Sequence, residues 1–149
     1  MTQKPENQWA AYYAAGSGRG ARPLLLDALA RFAPHLPDAL PRLAVDLGCG
    51  DGTETLALLQ QGWRVLAIDQ EPAALQLVET KVRGAMGTRL ETRVAPFENL
   101  VLPAADLIYA GYSLPFCAPA HFAALWDTII TALPGNSLVL TILGRRTPI

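Results

Sequence analysis

Charge of either sign is scarce in this 149-residue sequence. Asp, Glu, Lys and Arg make up 17% of it, and 12 basic residues nearly balance 13 acidic ones, for a formal net charge of −1. A protein held to nucleic acid by a basic surface needs clustered Lys and Arg against the phosphates, so a nucleic-acid partner is not expected. Cysteine is scarcer still: Cys49 and Cys117 are too few for a disulfide framework and lack the spacing of metal ligands. No apolar run approaches the ~20 residues of a membrane-spanning helix. The start, MTQKPENQ, has no basic stretch leading into an apolar one, so no signal peptide is read. These absences leave a protein expected to be soluble and cytoplasmic, without a metal or a membrane partner. What is abundant is core material: hydrophobic residues make up 51%. The length fits a single domain over residues 1–149, able to bury roughly two-thirds of its unfolded surface.

Residues 1–41 read as an N-terminal helical cap and connector. Trp9, Tyr12 and Tyr13 precede Gly16, Gly18 and Gly20, which predicts a short helix and then a glycine-rich turn. Pro23 opens a second helix carrying Leu24, Leu25, Ala28, Leu29 and Phe32, and Pro34, Pro37 and Pro41 end it. Residues 42–149 then alternate between strand and helix. Strands are expected at Leu43–Leu47, Arg64–Ile68, Arg89–Val94, Ala105–Ala110 and Ser137–Leu143. Helices are expected at Glu54–Gln61, closed by Gly62, at Pro72 to about Arg83, and at Pro119–Leu133. The last helix places Phe122, Leu125, Trp126, Ile129 and Ile130 on one stripe, read as core, with His121 capping or on the surface. This alternation predicts an α/β fold with a doubly wound, mostly parallel sheet. Such a sheet binds its ligand beyond the carboxyl ends of the strands, where strand order reverses.

The first strand runs directly into Asp46-Leu47-Gly48-Cys49-Gly50-Asp51-Gly52, and a helix follows, with Asp51 or Thr53 expected to cap it. Three glycines allow a sharp turn and close approach of a ligand, while free backbone N–H groups offer donors. Asp69 closes the second strand about 20 residues beyond Gly48, where this architecture places an acceptor for ribose hydroxyls, so the expected ligand is an adenosine-type nucleoside. The dinucleotide fingerprint needs a third small residue where Thr53 stands, which disfavours a nicotinamide enzyme.

The pattern Gly-x-Gly-x-Gly preceded by Asp46 instead resembles motif I of the class I S-adenosylmethionine-dependent methyltransferases. The resemblance continues through AVDLGCGDGTETLALLQQGWRVLAIDQEPAAL, including Gly62, Asp69 and Pro72. It implies a Rossmann-like methyltransferase fold and S-adenosyl-L-methionine as cofactor. By position it implies that Asp46 orients the loop and approaches the cofactor's amino group, and that Gly48, Cys49 and Gly50 line its methionine part. Asp69 would hold the ribose, with Gln70 beside the adenine. Gly52, Thr53 and Gly111 complete the implied cofactor-binding set. Many members carry an Asp after the third strand. Here the stretch is Val94-Ala95-Pro96-Phe97-Glu98-Asn99, so Phe97 is expected on the adenine face and Glu98 at its edge.

After the fourth strand comes Gly111-Tyr112-Ser113-Leu114-Pro115-Phe116-Cys117. Leu114 stands where the amino methyltransferases of nucleic acid bases carry the first of two prolines, so that acceptor class is set aside. The wording ADLIYAGYSLPFC is more similar to small bacterial methyltransferases of the tellurite-resistance type, which implies a small-molecule acceptor and in-line methyl transfer. Tyr112 and Ser113 are the candidate catalytic residues, orienting the acceptor, and Tyr12 or Tyr13 would cover the pocket. The sequence stops just after the fifth strand, where the family usually adds a helix and two more strands. The apolar edge SLVLTIL is therefore expected either to pair in a homodimer or to leave an open substrate side. The competing expectation is a module that binds S-adenosylmethionine or S-adenosylhomocysteine with little or no activity.

Overall fold

A computed structural model describes residues 19–34, 39–82, 84–135 and 138–142. Tyr12, Tyr13 and His35 lie outside the described residues. Five strands, β1 (Leu43–Leu47), β2 (Arg64–Asp69), β3 (Leu90–Val94), β4 (Leu107–Gly111) and β5 (Leu138–Ile142), form one parallel sheet in the order β3-β2-β1-β4-β5. The helices are α1 (Pro23–Leu29), α2 (Thr53–Gln60), α3 (Pro72–Lys81) and α4 (Pro119–Ala132), with 3-10 turns at Gly84–Arg89 and Leu114–Phe116. The chain winds outward from β1 through β2 and β3, then returns to β4 on the opposite side. Strand order therefore reverses beside β1, as the expected doubly wound architecture requires.

Period-two alternation assigns the two faces. Ala44, Val65, Ala67, Leu107 and Tyr109 turn toward Leu25, Leu29, Leu58, Leu59, Leu75 and Val78 of α1, α2 and α3. Val45, Leu47, Leu66, Ile68, Ile108 and Ala110 turn the other way, against Leu125, Ile129 and Ala132 of α4. Both faces are covered, which is why β1, β2 and β4 read as continuous apolar runs. Phe32 meets Trp63 edge to face at 4.9 Å and 89°, an arrangement worth about 0.5–1.5 kcal/mol beyond burial.

Four sequence expectations need correction. The α2 N-cap is Gly52, not Asp51 or Thr53; Asp51 instead accepts the Thr53 N–H at 3.1 Å from just outside the helix. The α4 stripe is rotated from the expected one. Leu125 and Ile129 are buried, but Phe122 and Ile130 are 39% and 47% exposed, and Phe122 stacks on half-buried Trp126. The third strand starts at Leu90, because Arg89 ends a 3-10 turn and donates to the carbonyls of Leu59 and Trp63, each at 3.0 Å. Similarly, Asp106 precedes β4 and accepts the Leu43 N–H at 2.9 Å, which closes the start of β1. Among the described residues no helix is long and apolar enough to cross a membrane.

Candidate active site

The chain leaves β1 at Leu47 and turns at Gly48, whose φ of +74° belongs to the left-handed region open to glycine. A Cβ there would collide with the Ser113 side chain, its Oγ lying 2.9 Å away. The Gly48 and Cys49 N–H groups donate to the Ile68 carbonyl at 2.8 and 3.0 Å, which folds the loop over the end of β2. The Gly50 N–H donates to Asp69 Oδ2 at 3.0 Å, and the Glu71 N–H to Asp69 Oδ1 at 2.9 Å. Together with the Gln70 N–H, these backbone donors fix the plane of a carboxylate at the strand ends, and of its roughly four acceptor sites not all are used. Burial pushes the Asp69 pKa above its ordinary value, against the pull of these N–H donors.

Asp46, near the end of β1, is 2% exposed and accepts the Thr55 hydroxyl at 2.7 Å. Its carboxyl is pushed up to about 7, first by burial and then by Glu54 and Asp69 nearby, despite the Thr55 bond. Asp51 behaves oppositely. Burial works against its charge, but the Thr53 hydroxyl and N–H, with Lys81 Nζ at 3.3 Å, overcome it and hold its pKa below the usual value. Burial raises the Cys49 thiol well above its ordinary pKa, so it remains a protonated, small apolar lining residue.

A cavity of about 340 Å³ opens above these groups. Of the expected site residues, Asp46, Gly48, Cys49, Gly50, Asp69, Gln70, Phe97, Gly111, Tyr112 and Ser113 line it. Gly52, Thr53 and Glu98 are not on its wall. Gly52 serves packing: at φ +82°, a Cβ there would stand 2.7 Å from Val78 Cγ2 of α3. Thr53 spends its hydroxyl on Asp51 at 2.8 Å. Ser113 donates its hydroxyl to the Leu47 carbonyl at 2.6 Å and so fastens the end of β4 to the end of β1. Tyr112 is held at φ +57°, a conformation that costs a non-glycine residue roughly 1–3 kcal/mol and concentrates at functional sites.

Sequence reasoning missed Arg19, Arg22, Asp51, Glu54, Tyr109 and Phe116 as lining residues. Glu54 is 5% exposed and binds Arg19 through two hydrogen bonds of 3.0 and 2.8 Å, with Arg22 Nε 3.6 Å away. The Arg22 guanidinium lies 4.4 Å from the Tyr112 ring centroid, a cation–π contact. The available signal was an acidic residue in the first turn of a helix otherwise destined for burial. Among the described residues no group of three or more His, Cys, Asp or Glu is placed to hold a metal.

A glycine turn, a fixed carboxylate and a cavity at the point of strand reversal define a Rossmann-like α/β protein whose cavity lies across the ends of β2, β1 and β4. The chain belongs to the methyltransferase-domain family, whose pattern it matches over residues 44–135. No curated protein matches it in sequence. Similar solved structures include TehB from Haemophilus influenzae, with 15% identity, coverage of 89% of this chain and 44% of that one, and a TM-score of 0.69. The TehB-like S-adenosylmethionine-dependent methyltransferase from Corynebacterium glutamicum has 23% identity, with 91% and 68% covered and a TM-score of 0.66. S-adenosylmethionine-bound CalS10, an amino pentose methyltransferase from Micromonospora echinaspora, has 19% identity, with 97% and 59% covered and a TM-score of 0.68. The likeness to these three is one of fold, and agrees with the tellurite-resistance-type resemblance of the sequence. The chain spans 44% to 68% of their length.

Proposed function

We propose that this chain binds S-adenosyl-L-methionine and transfers its methyl group to a small-molecule acceptor. The observation that carries this reading is Asp69, a carboxylate held by the Gly50 and Glu71 N–H groups at the mouth of the cavity. Three backbone N–H groups, the Gln70 one included, leave the carboxylate capacity to accept from a sugar hydroxyl. The residues present fit a nucleoside with a charged tail. The cavity falls within the range of small-ligand sites, about 300–1,000 Å³, and Gln70 and Phe97 line it together with Asp69. Charged groups, among them Asp46, Glu54 and Arg22, also line it.

When bound, the cofactor supplies an electrophilic methyl on a sulfonium, whose transfer needs an aligned acceptor rather than an activated leaving group. The protein's task is then positioning, worth up to ~7–11 kcal/mol in well-oriented systems. In this reading Asp69 accepts from the ribose, Gln70 and Phe97 flank the base, and the Gly48–Gly50 backbone faces the tail. Tyr112, with Arg22 over its ring, orients the acceptor. Ser113 has committed its proton to Leu47, so it acts by holding two strand ends together and offers an acceptor only its lone pairs. The two cavity arginines both face Glu54, an arrangement that suits a small acceptor better than a phosphate backbone.

Calorimetry with S-adenosylhomocysteine tests the cofactor, and turnover over a panel of small acceptors tests the reaction. Asp69→Ala is expected to weaken S-adenosylhomocysteine binding by roughly 1–3 kcal/mol, the scale of a hydrogen bond to a charged group. Unchanged affinity in that variant removes the ribose role. Tight binding without turnover would make the chain a binding module, and NADH binding in place of S-adenosylhomocysteine would overturn the reading altogether.

A further inference from the structure

The segment Arg19–Arg22, which precedes α1, lies against two walls of the cavity. Arg19 and Arg22 line it, as do Glu54 in the first turn of α2 and Tyr112 after β4. Glu54 lies beneath the segment: its side chain is 6% exposed, against 33% for Arg19 and 28% for Arg22. Arg19 grips that carboxylate with a fork of two hydrogen bonds, 3.0 and 2.8 Å long. Arg22 reaches it with Nε at 3.6 Å and lays its guanidinium 4.4 Å from the Tyr112 ring centroid. The segment thereby ties α2 to the loop after β4.

Side chains alone hold it there. Among the described residues, Arg19, Gly20 and Ala21 make no backbone hydrogen bond to another segment. Gly20 is exposed, with nothing within 4 Å of the point a Cβ would occupy. Arg22 differs: its carbonyl accepts the Leu25 and Leu26 N–H groups at 3.1 and 3.3 Å, and Leu25 and Leu29 bury α1 in the core. The firm end is therefore at Arg22 and the loose end at Arg19. A stretch with exposed backbone and few apolar contacts opens at small cost in free energy. What opposes opening here is charge, which salt screens at a partly exposed pair. The cavity wall carries Asp46, Asp51, Glu54 and Asp69 against two arginines, so its acidic excess draws the segment back.

We propose that Arg19–Arg22 is a strap latched by Glu54, which lifts for a ligand to enter or leave and, when shut, sets Arg22 over Tyr112. Shutting the strap supplies the strained Tyr112, at φ +57°, with the cation on its ring. The strap's role as a gate rests on the S-adenosylmethionine reading, whereas the latch itself does not.

Two readouts on the 149-residue chain separate latch from gate. Limited trypsin digestion reads the latch, because the Arg19–Gly20 bond is open to cleavage only when Arg19 leaves Glu54, while the Arg22 bond precedes Pro23 and resists trypsin. Glu54→Gln should release fragment 20–149 about tenfold faster than wild type, the scale of a lost charge-assisted hydrogen bond. An unchanged rate overturns the latch. Equal acceleration at Lys81 and Arg89 would be loss of the fold, and the salt response of the wild type then decides. Stopped-flow binding of S-adenosylhomocysteine reads the gate. Arg19→Gln should speed association about tenfold. In the wild type, about 1 M NaCl should also speed association, although this ligand has no net charge to be steered. That acceleration should vanish in Arg19→Gln and persist in Arg19→Lys. Association unchanged or slowed in Arg19→Gln, or indifferent to salt in the wild type, overturns the gate. A wild type that binds no S-adenosylhomocysteine, with Glu54→Gln still cut faster, overturns the S-adenosylmethionine reading and upholds the latch.

Discussion

Gly48→Ala should lower the unfolding free energy by about 2–4 kcal/mol and remove measurable S-adenosylhomocysteine binding. The two costs are separate. At φ +74° an L-residue is strained by roughly 1–2 kcal/mol, because its Cβ crowds the following carbonyl. The added methyl also enters occupied space: it collides with the Ser113 side chain, whose Oγ is 2.9 Å from it, and touches Phe97 Cζ at 3.6 Å. Overpacking of this kind typically costs 1–3 kcal/mol. Ser113 cannot swing aside without breaking its 2.6 Å hydrogen bond to the Leu47 carbonyl, which sits immediately before the glycine. The turn, the β1–β4 tie and the cavity wall therefore fail together. Urea denaturation of Gly48→Ala, Ser113→Gly and the double variant measures this. Ser113→Gly removes the colliding atoms, so the double variant should recover roughly 1–2 kcal/mol relative to the sum of the single changes. Strict additivity would show that Gly48 is required only for its backbone conformation.

The same turn shows why part of the site was legible and part was not. Residues 44 to 72 carry a local code: an apolar run, glycines at turning points, an acid at the end of the next strand and a proline opening the next helix. Each of those signals acts over a few residues, and the structure places Gly48, Gly50 and Asp69 together through loop hydrogen bonds to β2. The Arg19–Glu54 pair joins residues 35 positions apart, and no local pattern links them. Tyr109 looked like one more apolar residue in ADLIYA, and only the sheet register with Asp46 brings it to the same cavity wall as that acid. Gly52 was misread for the opposite reason. Its glycine signal was real, but what it admits is Val78 of α3 rather than a ligand. In α4, helical periodicity identified an apolar stripe wider than the surface the sheet offers, which leaves Phe122 and Ile130 outside the core.

Asp46 should make stability and cofactor affinity respond to pH in opposite directions. In the folded chain burial pushes its carboxyl up to about 7, while in the unfolded chain it returns to an ordinary value near 4. The folded state therefore binds the proton more tightly. The stabilisation is complete below pH 4 and is lost as pH rises through 7, a change on the order of 4 kcal/mol. Asp69, also raised, adds in the same direction, and Asp51, held low, contributes the other way. Asp46→Asn isolates the effect, because the amide oxygen can still accept the Thr55 hydroxyl but carries no titrating proton. Urea unfolding at pH 5 and 7.5 should show the variant gaining on the wild type as pH rises, and parallel pH profiles would remove Asp46 as the titrating group. Ligand binding has the reverse sign. A cationic ligand beside Asp46 favours the carboxylate, so S-adenosylmethionine affinity should climb by up to about tenfold per pH unit below 7 and level off above it. S-adenosylhomocysteine lacks the sulfonium charge and should climb less steeply over the same interval. In Asp46→Asn the two ligands should show the same shallow dependence, and calorimetry at half-unit steps from pH 5.5 to 8 would expose any difference that survives the substitution.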